Sequence, residues 1–103
     1  MPVLVAMYNL RKGVTMDDYK KFSRDLDQIV TNRQPGVKSF KVYEIKPTDD
    51  QKPKYQIYEL IDVESWDAWQ KVLKSPAFKQ VLDEWPGDPD SVVTIMGERI
   101  EPA

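Results

Sequence analysis

The sequence predicts an α+β fold, a ferredoxin-like βαββαβ sandwich whose four-stranded antiparallel sheet carries helices on one face. Three observations predict it. The apolar period switches between about two and about 3.6 in the order strand, helix, strand, strand, helix, strand. A polar stretch over residues 47–53 (PTDDQKP) joins two alternating runs in mid-chain, as a central hairpin requires. The chain has 103 residues, 41% of them apolar. That suffices for one core and is too little for two, so residues 1–103 are expected to form a single domain.

Residues 3–10 are apolar on both alternations, with Val3, Val5 and Met7 on one face and Leu4, Ala6, Tyr8 and Leu10 on the other. Such a strand is buried on both sides. Arg11-Lys12-Gly13 turns the chain, and Thr15 followed three residues later by Asp18 marks a helix start. Tyr19, Phe22, Leu26, Ile29 and Val30 recur at three- and four-residue spacing, an apolar stripe on a helix that ends near Asn32 before Pro35-Gly36. Residues 37–45 alternate, Phe40 and Val42 against Ser39, Lys41 and Tyr43. In the third strand, residues 54–62, Tyr55, Ile57, Glu59 and Ile61 oppose Gln56, Tyr58 and Leu60. The second helical region starts near Ser65 with Trp66, Trp69, Val72 and Leu73 on one stripe. Ser75-Pro76 restarts it, because Pro suits the first helical position, and Phe78, Val81, Leu82 and Trp85 continue the stripe. Residues 91–100 form the last strand.

With helices on one side only, one sheet face is bare. It would carry Leu4, Ala6, Tyr8 and Leu10 or their neighbours, together with Val93 and Ile95. An apolar patch of that kind is unusual on a monomer, so a homodimer through the open sheet face is expected, with a cavity enclosed between the two sheets.

Composition removes whole classes of chemistry. There is no histidine and no cysteine, hence no disulfide framework, Cys/His zinc site, thiol nucleophile, Ser-His-Asp triad or axial histidine for haem. Fifteen Lys+Arg stand against 17 Asp+Glu, a net charge of −2, and the signs are interspersed, so no nucleic-acid partner is expected. The opening MPVLVAMYNL has no basic stretch before its apolar run and is far short of the roughly 20 residues that span a bilayer. A cytoplasmic protein without a membrane partner is expected. Glycines 13, 36, 87 and 97 never approach a dinucleotide or phosphate-loop fingerprint. Asp83, Glu84, Asp88 and Asp90 match no cation-loop spacing, so neither cofactor nor metal is implied.

The polar positions of the strands are the candidates for a small-molecule pocket: Tyr8, Ser39, Lys41, Tyr43, Gln56, Tyr58 and Glu59. Alternation alone does not settle which face of the third strand looks into the cavity. The Tyr55, Ile57 and Ile61 set suits the helix-covered side, which favours Gln56 and Tyr58 inward over Glu59. The plainer reading makes all of these cross-strand polar pairs at a sheet surface. Without histidine, a base near neutral pH must be a carboxylate raised by burial or a lysine lowered by it. Asp27, at the border of the apolar helical stripe, and Glu59, flanked by Tyr58 and Leu60, are the suspects. Each is otherwise a surface charge or a partner of Arg24 or Lys41. A tyrosine pair orients or protonates an oxyanion without any base.

The element order, the PGVKSFKVYEI strand and the run YELIDVESWDAWQKVLKSPAFKQVLDEW resemble the dimeric α/β-barrel superfamily, which includes antibiotic-biosynthesis monooxygenases, cyclases and decarboxylases. Shorter matches are similar to the REDY-like (HapK) family. These are Tyr8-Asn9-Leu10 running into Gly13-Val14, Asp18-Tyr19, Asp27 eight residues before Pro35, Ser39-Phe40 with Val42-Tyr43, and Tyr55-Gln56 leading to Glu59 and Ile61-Asp62-Val63. One departure is Ile29, where that family tends to carry Pro; the Trp-rich second helix and its SPAF break are closer to the monooxygenase branch. The resemblance implies a homodimer with one small-molecule cavity per subunit. It also implies a place in secondary metabolism, in cyclisation or condensation of an aromatic or pyrrolic intermediate such as those of prodiginine-type pigments. Asp27 fits the family pattern, which sets Asp27, Tyr8 and Glu59 as catalytic candidates. Related cofactor-independent monooxygenases use Asn, Trp and Tyr around an electron-rich aromatic. That alternative nominates Asn9 and Trp66 beside Tyr8, although tryptophans at helical spacing are ordinarily core. A non-catalytic dimeric binding module is the third reading.

Overall fold

The computed structural model of the protein describes residues 2–102. Strand β1 (Pro2–Tyr8) leads into one helical run made of α1 (Met16–Phe22), a π-helical turn (Ser23–Asp27) and α2 (Gln28–Asn32). Strands β2 (Val37–Glu44) and β3 (Ile57–Val63) follow, then α3 (Trp66–Leu73), α4 (Pro76–Glu84), a 3-10 turn (Pro89–Ser91) and β4 (Val93–Glu98). All neighbouring strands are antiparallel, in the order β2-β3-β1-β4, so the predicted ferredoxin-like α+β fold is the observed one. Among the described residues no helix is long and apolar enough to cross a membrane.

Local chemistry sets the boundaries. The Thr15 hydroxyl accepts from the Asp18 amide and the Asp18 carboxylate accepts from the Thr15 amide, both at 3.1 Å, closing a capping box at α1. Ser65 and Ser75 cap α3 and α4 by accepting from the amides of Ala68 and Phe78. The bend before β2 needs glycine twice over: Gly36 has φ +85°, and a Cβ there would stand 2.7 Å from the Cβ of Ala68. Strand β3 begins at Ile57 rather than residue 54, and β4 at Val93 rather than residue 91, because Ser91 belongs to the 3-10 turn.

Register decides which residues share a face. Facing residues form rows across the sheet, Tyr43-Tyr58-Met7-Val93 and Lys41-Leu60-Val5-Ile95 on one side, Phe40-Ile61-Leu4-Met96 and Val42-Glu59-Ala6-Thr94 on the other. The second side meets the helices, where Leu4, Phe40, Ile61 and Val63 pack with Trp69, Val72, Phe78 and Val81 in the core. Leu4, Ala6, Tyr8 and Leu10 therefore lie under the helices, and it is their neighbours Val3, Val5 and Met7 that line the bare face. An all-apolar strand gives no sign of which side the helices cover.

The first helical run buries an unexpected face. Ile29, expected on the buried stripe, is 42% exposed, and Phe22, Leu26 and Val30 are only partly buried. The fully buried positions are Tyr19, Ser23, Asp27 and Thr31, spaced by four throughout. Four residues overshoot one α-helical turn by about 40°, so three such steps would carry Thr31 about 120° around from Tyr19. The wider π turn across Ser23–Asp27, where the Gln28 amide bonds the Ser23 carbonyl, absorbs that drift. A polar stripe faces the sheet as a result.

Candidate functional site

Asp27 on the π turn and Glu59 in the middle of β3 open onto one cavity of about 230 Å³ between sheet and helices. Its floor is Ala6, Tyr8, Glu59 and Ile61 of the sheet; Trp69, Phe78 and Val81 of α3 and α4 wall it. Leu73, Leu82 and Val92, all substantially exposed, and the half-buried Trp85 form an apolar rim. The Trp85 ring meets the Tyr8 ring edge-on with centroids 5.0 Å apart. Gly87 makes this possible, because any Cβ there would collide with the indole. The loop carrying Trp85 is stitched to the end of β1 by Arg11 N–H to the Pro86 carbonyl, Asp88 N–H to the Asn9 carbonyl and Asn9 N–H to Ser91 Oγ, each 2.8 Å.

Inside the cavity the polar groups form a chain. The Tyr8 hydroxyl donates to Glu59 Oε2 at 2.7 Å and, with its own proton so used, accepts from the Tyr19 hydroxyl at 2.6 Å. Thr31 Oγ1 donates to Asp27 Oδ1 at 3.1 Å. The other oxygens, Glu59 Oε1 and Asp27 Oδ2, have no donor among the described residues, and both residues line the cavity. Burial raises both acids: Asp27 is pushed up to about 6, and Glu59 to about 8 by burial and then by the nearby Asp27 charge. The Tyr8 bond pulls Glu59 the other way. Burial foremost, then the Glu59 charge, also keeps Tyr8 and Tyr19 protonated far above their ordinary value. Among the described residues no three His, Cys, Asp or Glu side chains group to hold a metal ion.

Of the residues singled out in the sequence, Asp27, Tyr8 and Glu59 are brought together here. Others lie elsewhere. Lys41, Tyr43 and Tyr58 stand on the bare face, where the Tyr43 and Tyr58 rings stack at 4.7 Å, and Ser39 faces Asp62 at its end. Gln56 is a latch: its side-chain oxygen accepts from the Leu10 amide at 2.8 Å. Asn9 is taken up by the stitched loop and by a 3.2 Å bond to the Lys54 carbonyl. Trp66 sits beside Thr94 and Met96, outside the cavity that Asp27 and Glu59 line. The expectation that Gln56 and Tyr58 belong opposite the helix-covered Ile57 and Ile61 agrees with the structure. The cavity expected between two sheets belongs to a dimer; the pocket that holds Asp27, Tyr8 and Glu59 is a different one, within the chain and under the helices. Tyr19, Thr31, Trp85 and Thr94 were missed; the four-residue spacing of Tyr19, Ser23, Asp27 and Thr31 was the available signal.

The fold and this cavity define a ferredoxin-like chain with an acid-bearing, largely apolar pocket between its sheet and its helices. The chain belongs to the family described as REDY-like protein HapK, whose profile matches residues 2–100. No curated protein matches it in sequence. Among solved structures it is similar to HapK from Hahella chejuensis, at 14% identity over 100% of this chain and 96% of that one, with a TM-score of 0.77. It is also similar to a dimeric ferredoxin-like protein of unknown function from Thermobifida fusca (14% identity, 93% and 88% covered, TM-score 0.72). A third is a mutant form of SnoaB, a cofactor-independent oxygenase from Streptomyces nogalater (11% identity, 98% and 94% covered, TM-score 0.73). At these identities the likeness is one of fold.

Proposed function

We propose that the cavity is a cofactor-free acid/base site for a small aromatic or pyrrolic intermediate of secondary metabolism, serving a cyclisation or condensation such as prodiginine-type pathways require. The observation that carries this reading is the convergence of Asp27, Glu59 and Tyr8 on one apolar cavity. Two carboxyls held at different proton affinities divide acid and base duty. Burial raises both, and Glu59 also feels the Asp27 charge, so near neutral pH the pair shares protons, with Asp27 the readier base and Glu59 the readier acid. Because Oε2 of Glu59 accepts from Tyr8, a proton held by Glu59 sits on Oε1. Trp69, Phe78 and Trp85 supply flat apolar contact.

The oxygenase reading has less behind it, since Asn9 and Trp66 stand apart from Tyr8. Titration of bipyrroles and polyketide-type aromatics against tryptophan fluorescence tests the proposal, followed by absorbance measurement of turnover. Saturable quenching with conversion that Asp27→Asn and Glu59→Gln abolish supports it. Saturable binding without conversion favours the non-catalytic binding module, and no binding defeats both.

The functional unit is proposed to be a homodimer through the bare face, whose rows include Val5, Ile95, Met7 and Val93. The dimeric description of the Thermobifida fusca protein supports it.

A further inference from the structure

We infer that the cavity selects a compact planar ligand carrying a cationic nitrogen, an amidinium or a protonated heteroaromatic amine, gripped between Asp27 and Glu59. The inference rests on the cavity reading above and narrows its ligand class.

Asp27 and Glu59 are both buried residues, 4% and 8% exposed. Both line the cavity, and one oxygen of each has no donor among the described residues. Among the described residues no cation answers them. The groups that reach them are Tyr8 from β1, Tyr19 from α1 and Thr31 from α2, all uncharged. The linings from β2, α3, α4 and β4 are aromatic, aliphatic or, at Thr94, a hydroxyl. Lys20, Arg24 and Glu44 line a separate groove, and Lys20 is spent on Glu44 at 3.0 Å. No basic side chain is among the influences on either acid.

A buried carboxylate needs a proton or a counter-charge. Protons answer this need within the chain itself, as the burial-raised proton affinity of both acids shows. A bound cation solves it by pairing, and the aromatic walls present faces that attract the same charge. An anion would meet charge of its own sign, and a neutral ligand would leave Asp27 unpaired. A volume of about 230 Å³ limits the ligand to a compact ring system. A cation also lowers the proton affinity of Glu59, so binding near neutral pH releases protons.

Benzamidine, benzoate and benzyl alcohol, similar in size and different in charge, test this by tryptophan fluorescence and by calorimetry in two buffers of different ionisation enthalpy. Benzamidine is expected to bind at least about tenfold tighter than benzyl alcohol and benzoate not to saturate. Between about pH 6 and 8 benzamidine affinity rises about tenfold per pH unit for each proton released, and the calorimetric heats differ between buffers. Asp27→Asn, checked for folding by circular dichroism, loses the preference; where it fails to fold, proton release by the unmodified chain decides. Equal binding of benzamidine and benzyl alcohol with no pH dependence overturns the inference and leaves the cavity reading standing. No saturation by any probe overturns both.

Discussion

The Tyr8 hydroxyl donates to Glu59 Oε2 across 2.7 Å, and it is the one hydrogen bond that lowers the proton affinity of a carboxyl otherwise raised by burial. Tyr8 and Glu59 lie on adjacent strands, diagonally across the helix-covered face, where β1 pairs Tyr8 with Ile57 and Ala6 with Glu59. The sheet's geometry holds the bond independently of any loop.

Tyr8→Phe is expected to raise the Glu59 pKa further, to leave Glu59 Oε2 without its donor and to take the Tyr8 partner from the Tyr19 hydroxyl. The stability cost is about 1–3 kcal/mol. Carbon-13 NMR titration of the Glu59 carboxyl and urea unfolding check the two effects; a Glu59 midpoint that stays put or falls contradicts the arrangement.

Stability is expected to fall as pH rises from about 5 to about 9. Folded Asp27 and Glu59 titrate near 6 and 8, above their ordinary 3.8 and 4.5. Between those values the folded chain holds more protons than the unfolded one, so this contribution is complete below about pH 4 and is lost through the folded values. The slope approaches about 1.4 kcal/mol per pH unit while one group titrates. Asp18 and Glu44, lowered by Thr15 and by Lys20 with Lys46 respectively, act oppositely and weaken the fold below that range. Urea midpoints across the range, repeated on Glu59→Gln, give a flatter alkaline limb for the variant.

Gly87→Ala forces the Trp85 ring off its seat and away from Tyr8. A loss of about 1–3 kcal/mol is expected from the overpacking, with a changed near-ultraviolet circular dichroism band and weaker aromatic binding. An unchanged band means that Trp85 is not held against Gly87.

Adjacent positions on β1 should fail differently. Leu4→Ala cuts the core and costs about 2–5 kcal/mol of folding stability. Val5→Asp leaves the fold intact and shifts sedimentation from dimer to monomer, because Val5 faces the bare side with Ile95. A Val5→Asp dimer refutes the proposed interface.

The element order, the capping residues Thr15, Ser65 and Ser75, and the fold class were readable in the sequence because they follow from local periodicity and local hydrogen bonding. So was the grouping of Ile57 and Ile61 apart from Gln56 and Tyr58, since alternation is a property of one strand. The identity of the covered face was not. Val3 to Leu10 is apolar on both alternations, and only packing, of Leu4 against α3 and α4 and of Tyr8 against Tyr19 and Trp85, shows that Leu4 and Tyr8 are inside while Val5 is outside. The site was half-readable for the same reason. Tyr8, Asp27 and Glu59 stood out as residue types, yet their meeting depends on the β1-β3 register and on a π turn that swings Asp27 toward the sheet. Both are decided by contacts between segments distant in sequence, and local pattern carries no information about such contacts.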